Sequence, residues 1–179
     1  GGEPKHYERR LEITVEPAYP ATFAARKAFL SQSEYERQDV PVPNGGFEEG
    51  LGKWSGNPRA AVDTAVKHSG QQSARITIPA TQTDATGIYL VQNVPATPGK
   101  LYQVSAWVKS ENVKGVTLGD KSPTGVTAII EFADKDGKWL ASGDYAAGLY
   151  ETKDWQQIST DASRAPEQAG FAIIFLALR

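Results

Sequence analysis

The chain has 179 residues, with 19 Lys and Arg against 21 Asp and Glu, for a formal net charge of −2. This length fits one domain, or one domain with an appendage, and the slightly acidic balance argues against nucleic acid or an anionic membrane as the main partner. Cysteine is absent, which excludes a disulfide framework, thiolate zinc sites and cysteine catalysis.

In chain order, Gly1-Gly2 reads as a cloning scar or a cut inside a longer protein. The absence of methionine, even at the start, carries the same expectation of an excised segment. No charged start, apolar core and cleavage site mark a signal peptide. Leu11, Ile13 and Val15 alternate with Glu12, Thr14 and Glu16, the period-two pattern of a half-buried strand that Pro17 and Pro20 end. Ala21 to Arg37 has helix-favouring composition without a clean apolar stripe, and Asp39 to Pro43 reads as a linker.

From residue 42 the chain becomes short strands separated by turn signals, as in a sandwich or jelly roll. Seven strands are expected: Ser73–Ile78, Gly87–Val94, Leu101–Ser110, Val126–Ala133, Lys138–Ser142, Trp155–Thr160 and Phe171–Leu178. Asp134-Lys135-Asp136-Gly137 is a hairpin turn with glycine where positive φ is needed. The last segment is apolar enough for a central strand. No run of eighteen apolar residues exists, so no membrane-spanning helix is expected.

Four blocks carry a family pattern. They are Val42-Pro43-Asn44-Gly45-Gly46-Phe47-Glu48-Glu49-Gly50 with Leu51-Gly52-Lys53-Trp54, then His68-Ser69-Gly70-Gln71-Gln72-Ser73, then Pro98 to Lys109, then Asp154-Trp155. In this order and spacing they resemble the jelly-roll carbohydrate-binding modules of the family 4/9/16/22 type, appended to many secreted polysaccharide-degrading enzymes. The resemblance covers roughly residues 42–179. It implies an all-β fold, an antiparallel β-sandwich (jelly roll) with residues 1–41 as an N-terminal extension or the end of a preceding domain. It further implies a non-catalytic polysaccharide-binding module in an extracellular or cell-surface setting, working beside the neighbouring domains of a parent enzyme. Modules of this type often hold a structural calcium, and here the resemblance assigns its carboxylate to Glu48, with carbonyls from Asn44 and the His68-Ser69-Gly70 turn. Calcium takes six to eight oxygen ligands. Such modules usually close with a strand bearing an aromatic-Asp-Asp-Val sequence. The chain stops at Arg179 before one, so either the segment is truncated or Leu11–Val15 replaces it.

Strand parity points to a binding surface, because successive side chains face opposite ways. In Leu101–Lys109, Tyr102, Val104, Ala106 and Val108 suit a core, leaving Gln103, Ser105, Trp107 and Lys109 on the other face. In Val126–Ala133, Ala128, Ile130 and Phe132 suit the core, leaving Thr127, Ile129, Glu131 and Ala133. Leu140 joins the core set and leaves Trp139 outside. Trp107, Trp139, Glu131, Gln103 and Lys109 are therefore expected on the non-core face of neighbouring strands, with Tyr89 joining from the Tyr89, Val91, Asn93 side of its strand. A solvated sheet face has no need of tryptophans, and apolar surface rimmed by polar groups marks a contact site. Pyranose C–H patches lie on flat aromatics while Gln, Glu, Lys and Arg bond the hydroxyls. Tyr145 and Tyr150 sit in a Gly-containing loop that offers further contacts, and Arg75 with Lys109 leaves room for an acidic glycan. The competing reading buries Trp107 or Trp139 under the 111–125 or 143–153 loops and makes the domain a spacer that buttresses a catalytic neighbour. Trp54 and Trp155 read as packing residues, and Gln92 has core parity but is poor core material.

An enzyme is the weakest reading. His6 and His68 form no pair, and neither a Gly-x-Ser-x-Gly elbow nor a phosphate loop is present. A small polysaccharide lyase or hydrolase would need converging side chains in a cleft, for glycoside hydrolysis two carboxyls about 5–10 Å apart; the acid pairs Glu48/Glu49 and Asp134/Asp136 are present, and the second is a turn with a conformational role.

Overall fold

The computed structural model describes residues 40–56, 59–79, 87–114 and 125–179. The expected Leu11–Val15 strand and the Ala21–Arg37 segment lie outside the described residues, as does most of the 111–125 loop. Within the described residues the strands are β1 (Ser55–Gly56), β2 (Ala60–Asp63), β3 (Ser73–Ile76), β4 (Ile88–Pro95), β5 (Leu101–Tyr102), β6 (Ser105–Val113), β7 (Val126–Asp134), β8 (Trp139–Tyr145), β9 (Glu151–Ser159), β10 (Ser163–Arg164) and β11 (Ala169–Leu178), with no helix. All pairings are antiparallel. The fold is the all-β antiparallel arrangement expected from the turn spacing.

One sheet has five strands in the order β1-β4-β11-β7-β8, and three two-stranded ladders, β2-β3, β5-β10 and β6-β9, make up the rest. β11 lies between β4 and β7, the central position its continuous apolar character predicts. The inward side of this sheet carries Leu90, Val94, Ala128, Ile130, Phe132, Ala172 and Ile174. These pack with Trp54, Val104, Ala146 and Ala165 and with the half-buried Tyr102 and Ile158 in one core. The Tyr102 ring meets Phe132 edge-on at 6.2 Å. Burying this set is the main stabilising term, at about 1.5–3 kcal/mol for each large aliphatic or aromatic side chain.

Several local expectations are refined. Leu101–Ser110 is two strands, because β5 pairs with β10 while β6 pairs with β9. At the break, Thr160 supplies what the ladder lacks: its Oγ1 accepts the Val104 N–H at 3.2 Å, and its own N–H donates to the Val104 carbonyl at 3.0 Å. Trp155–Thr160 begins four residues earlier, at Glu151. β2, the partner of β3, went unassigned in the sequence reading because half-exposed Ala60–Asp63 has no apolar alternation. The hairpin at 134–137 forms as expected: Asp134 Oδ1 accepts the Asp136 and Lys138 N–H groups, both at 2.9 Å, and Gly137 sits at φ +81°. Gln92 does face the core. Its Nε2 donates to the carbonyls of Pro43 at 3.0 Å and Lys53 at 2.8 Å, so a buried amide pins the Val42–Trp54 corner onto β4.

Candidate functional site

The outward side of the five-stranded sheet is built by register. One row runs Val91, Phe175, Ile129 and Tyr145 across four strands, with Ser55 beside Val91. The next runs Asn93, Ile173, Glu131 and Ser142. A third runs Pro95, Phe171, Ala133 and Trp139. Tyr89 lies beyond the first row, opposite Ala177, with its ring edge-on to Phe175 at 5.8 Å. The floor is apolar: Ile129 and Ala133 are buried, and Phe171, Ile173 and Phe175 are half-buried. Polar groups cross it in one line, with Asn93 and Ser142 exposed and Glu131 between them.

Trp139 is 55% exposed at one edge of this face, and its Nε1 donates to Glu131 Oε2 at 3.0 Å. The bond orients both groups. It fixes the indole plane and leaves Glu131 Oε1 as an acceptor for a ligand hydroxyl. An apolar floor, a fixed indole and a line of amide, carboxylate and hydroxyl groups together suit a ligand that is both C–H-rich and hydroxyl-rich.

Trp107 does not belong to this face. β6 lies in the β6-β9 ladder and β7 in the five-stranded sheet. Ile158, paired with Ala106, packs against the same core that receives Ala128, Ile130 and Phe132. Trp107 and Lys109 therefore point outward from the second layer, away from Trp139 and Glu131. Parity is right on each strand, and the assumption that β6 neighbours β7 is what fails. Three further expected contacts also have other duties. Lys109 Nζ pairs with Asp154 at 2.7 Å and holds that carboxyl below its usual 3.8. Gln103 Nε2 donates to the Thr160 carbonyl at 2.7 Å. Arg75 on β3 pairs with Asp63 at 3.3 Å. Of the predicted contacts, the structure gathers Trp139, Glu131, Tyr145 and Tyr89. The sequence reading missed Phe171, Ile173 and Phe175, whose signal was a strand apolar on both sides.

The expected metal corner is a hydrogen-bonded turn. Asn44, at φ 51°, donates from Nδ2 to the carbonyls of Gly50 at 3.0 Å and Gly52 at 2.6 Å, while its Oδ1 accepts the Glu49 N–H at 2.9 Å. Its carbonyl accepts the Trp54 indole N–H at 3.1 Å. Both Glu48 carboxylate oxygens accept the Gln71 N–H at 3.1 Å. The His68 ring is stacked on Trp107 at 4.1 Å. Among the described residues no group of three or more His, Asp or Glu side chains gathers for a metal. The resemblance assigns calcium the Glu48 carboxylate with the carbonyls of Asn44 and the His68-Ser69-Gly70 turn, and these would have to contribute to a shell of six to eight oxygens.

The described residues thus form an antiparallel β-sandwich with an aromatic, polar-lined sheet face. A family model described as Carbohydrate binding domain, of the 4/9 type, matches residues 42–162, and the chain belongs to that family. Among solved structures it is similar to the enzymatically active domain of tailspike protein 4 of bacteriophage CBA120, at 17% identity and a TM-score of 0.55, covering 81% of this chain and 19% of that one. The chain thus spans about a fifth of that structure's length, and the likeness is one of fold. It also matches the C-terminal family 22 carbohydrate binding module of Clostridium thermocellum Xyn10B, at 19% identity and a TM-score of 0.45, covering 76% and 87% of the two chains. A xylan-binding domain of the same family 22 matches at 18% identity and 0.44, covering 74% and 80%. No curated protein matches.

Proposed function

We propose that this domain binds a glycan chain, without cleaving it, across the outward face of the five-stranded sheet. The observation that carries this reading is the Trp139–Glu131 pair: an indole 55% exposed and oriented by a carboxylate at 3.0 Å, at the edge of an apolar floor crossed by Asn93 and Ser142. Family membership supports a carbohydrate ligand. A non-catalytic role is supported by the carboxylates themselves. Among the described residues, Glu131 is the one acid in the paired rows of this face, whereas glycoside hydrolysis takes two facing carboxyls. Among the described residues no helix is long and apolar enough to cross a membrane. On this reading the domain serves a larger extracellular or cell-surface carbohydrate-active protein.

The test is isothermal titration of the chain against xylan, mixed-linkage glucan, mannan and bacterial polysaccharides. Trp139→Ala is expected to lower affinity at this face by about tenfold to a hundredfold, the loss typical of an aromatic anchor, with the circular dichroism spectrum unchanged. Glu131→Gln keeps an acceptor for the indole and is expected to lose less than Glu131→Ala. Full binding by Trp139→Ala and Glu131→Ala would place the site elsewhere. Absence of binding by the wild type to every polysaccharide would favour a spacer that buttresses its neighbour.

A further inference from the structure

Two large aromatic side chains of the described residues are exposed, Trp139 at 55% and Trp107 at 49%, and they lie on different outward faces. The first belongs to the site above. The second is unused by it, and the structure invests heavily in holding it still.

Trp107 stands on the outward side of β6, opposite Gln157 of β9. The His68 imidazole lies on its indole with 4.1 Å between centroids and 12° between planes. The same imidazole meets Trp155 of β9 edge-on at 5.5 Å and 62°. The β2–β3 connection that delivers His68 is tied on both sides. Ahead of it, Asp63 Oδ1 accepts the Ala65 and Val66 N–H groups, both at 2.9 Å, and the Ser73 hydroxyl donates to the Val66 carbonyl at 2.6 Å. Beyond it, the Gln71 N–H is held by Glu48. An indole half in water, clamped by a ring on an anchored loop, is preorganised for a contact whose ordering cost is already met.

The surroundings indicate the kind of ligand. Ser105, Gln157 and Ser159 share the outward side with Trp107 and are exposed, and the Lys109–Asp154 ion pair borders it. The apolar part is essentially one indole and one half-buried indole. A stable protein interface has an extended apolar centre, whereas exposed polar side chains flank this indole. One or two sugar rings fit the scale: a C–H face against the part of the indole that His68 leaves in water, and hydroxyls for the amide and serine groups around it.

We infer that Trp107, clamped by His68 and Trp155, forms a second saccharide-binding platform on the β6–β9 face, separate from the Trp139 site. The domain would then hold glycan on two outward faces, and two linked contacts to one polysaccharide raise its avidity beyond either alone.

The test is titration of the 179-residue chain with six-residue oligosaccharides of xylan, mixed-linkage glucan and mannan, with Trp fluorescence recorded in parallel. Two sugars are expected per chain. Trp107→Ala should leave one, Trp139→Ala should leave one, and the double variant none. His68→Ala should weaken the Trp107 site about tenfold or more, and His68→Phe, which restores a flat ring, should recover most of that loss. One sugar per chain, lost in Trp139→Ala and kept in Trp107→Ala, overturns the second platform while the sheet-face site stands. One sugar lost only in Trp107→Ala supports the platform and refutes the sheet-face site. No sugar bound in any series overturns the platform.

Discussion

The corner that joins Glu48 to the His68–Gln71 turn is open to a quantitative test through Gly70→Ala. Gly70 has φ +66°, and a β-carbon there would collide with Glu48 Oε1 and stand 2.8 Å from its Cδ. Two costs follow. An L-residue held in the left-handed region costs roughly 1–2 kcal/mol. The Glu48 side chain must also swing away and give up the Gln71 N–H, an exposed charge-assisted bond worth about 1 kcal/mol. The expected total is about 2–3 kcal/mol, which for a chain of this size lowers the melting temperature by roughly 5–10 °C. Urea unfolding followed by tryptophan fluorescence measures it, with equal slopes certifying comparable unfolding. The decisive measurement is the cycle with Glu48→Ala. Once Glu48 is gone there is no carboxylate to displace, so Gly70→Ala should then cost only the backbone strain, leaving a coupling of about 1 kcal/mol. Equal costs of Gly70→Ala in both backgrounds would refute the contact as the cause.

Two other outcomes follow from the same region. If Glu48 and the carbonyls of Asn44 and the His68-Ser69-Gly70 turn hold calcium, chelator should lower the melting temperature and Glu48→Ala should abolish the shift; an unchanged melting temperature would refute the site. Asp63 is held below its usual 3.8 by the Val66 and Ala65 N–H groups, with Arg75 and Lys67 adding to the effect. A depressed folded value means its contribution is present above 3.8 and is lost as pH falls below it through the folded value. Asp63→Asn should therefore flatten the acid limb of stability against pH, and an unchanged acid limb would show that other carboxylates control it.

Much of the fold is legible in the sequence because it is local. Alternation in Val126–Ala133 names Ala128, Ile130 and Phe132 as the inward set, and the core contains all three. The 134–137 turn is legible because Asp134 and Gly137 serve a conformation that few other residue types serve as well. The family pattern is legible because the Val42–Trp54 corner is closed by its own side chains, with Asn44 tied to Glu49, Gly50, Gly52 and Trp54. Side-chain facing is likewise set within a strand, by the pleat of its own backbone.

Which strands become neighbours is not local. Strand partners are chosen by hydrogen bonds between segments far apart in sequence, and those backbone groups are chemically identical in every strand. Nothing in Leu101–Ser110 records that it changes partner at Thr160, from β10 to β9. Nothing in β2 marks it as the mate of β3. Trp107 and Trp139 could each be assigned an outward direction from sequence, yet only the tertiary pairing places one on the five-stranded sheet and the other on the β6–β9 ladder. The sequence by itself determined which side chains leave the core. Only the packed structure decided which of them meet: Trp139 with Glu131 on one face, and Trp107 with His68 on the other.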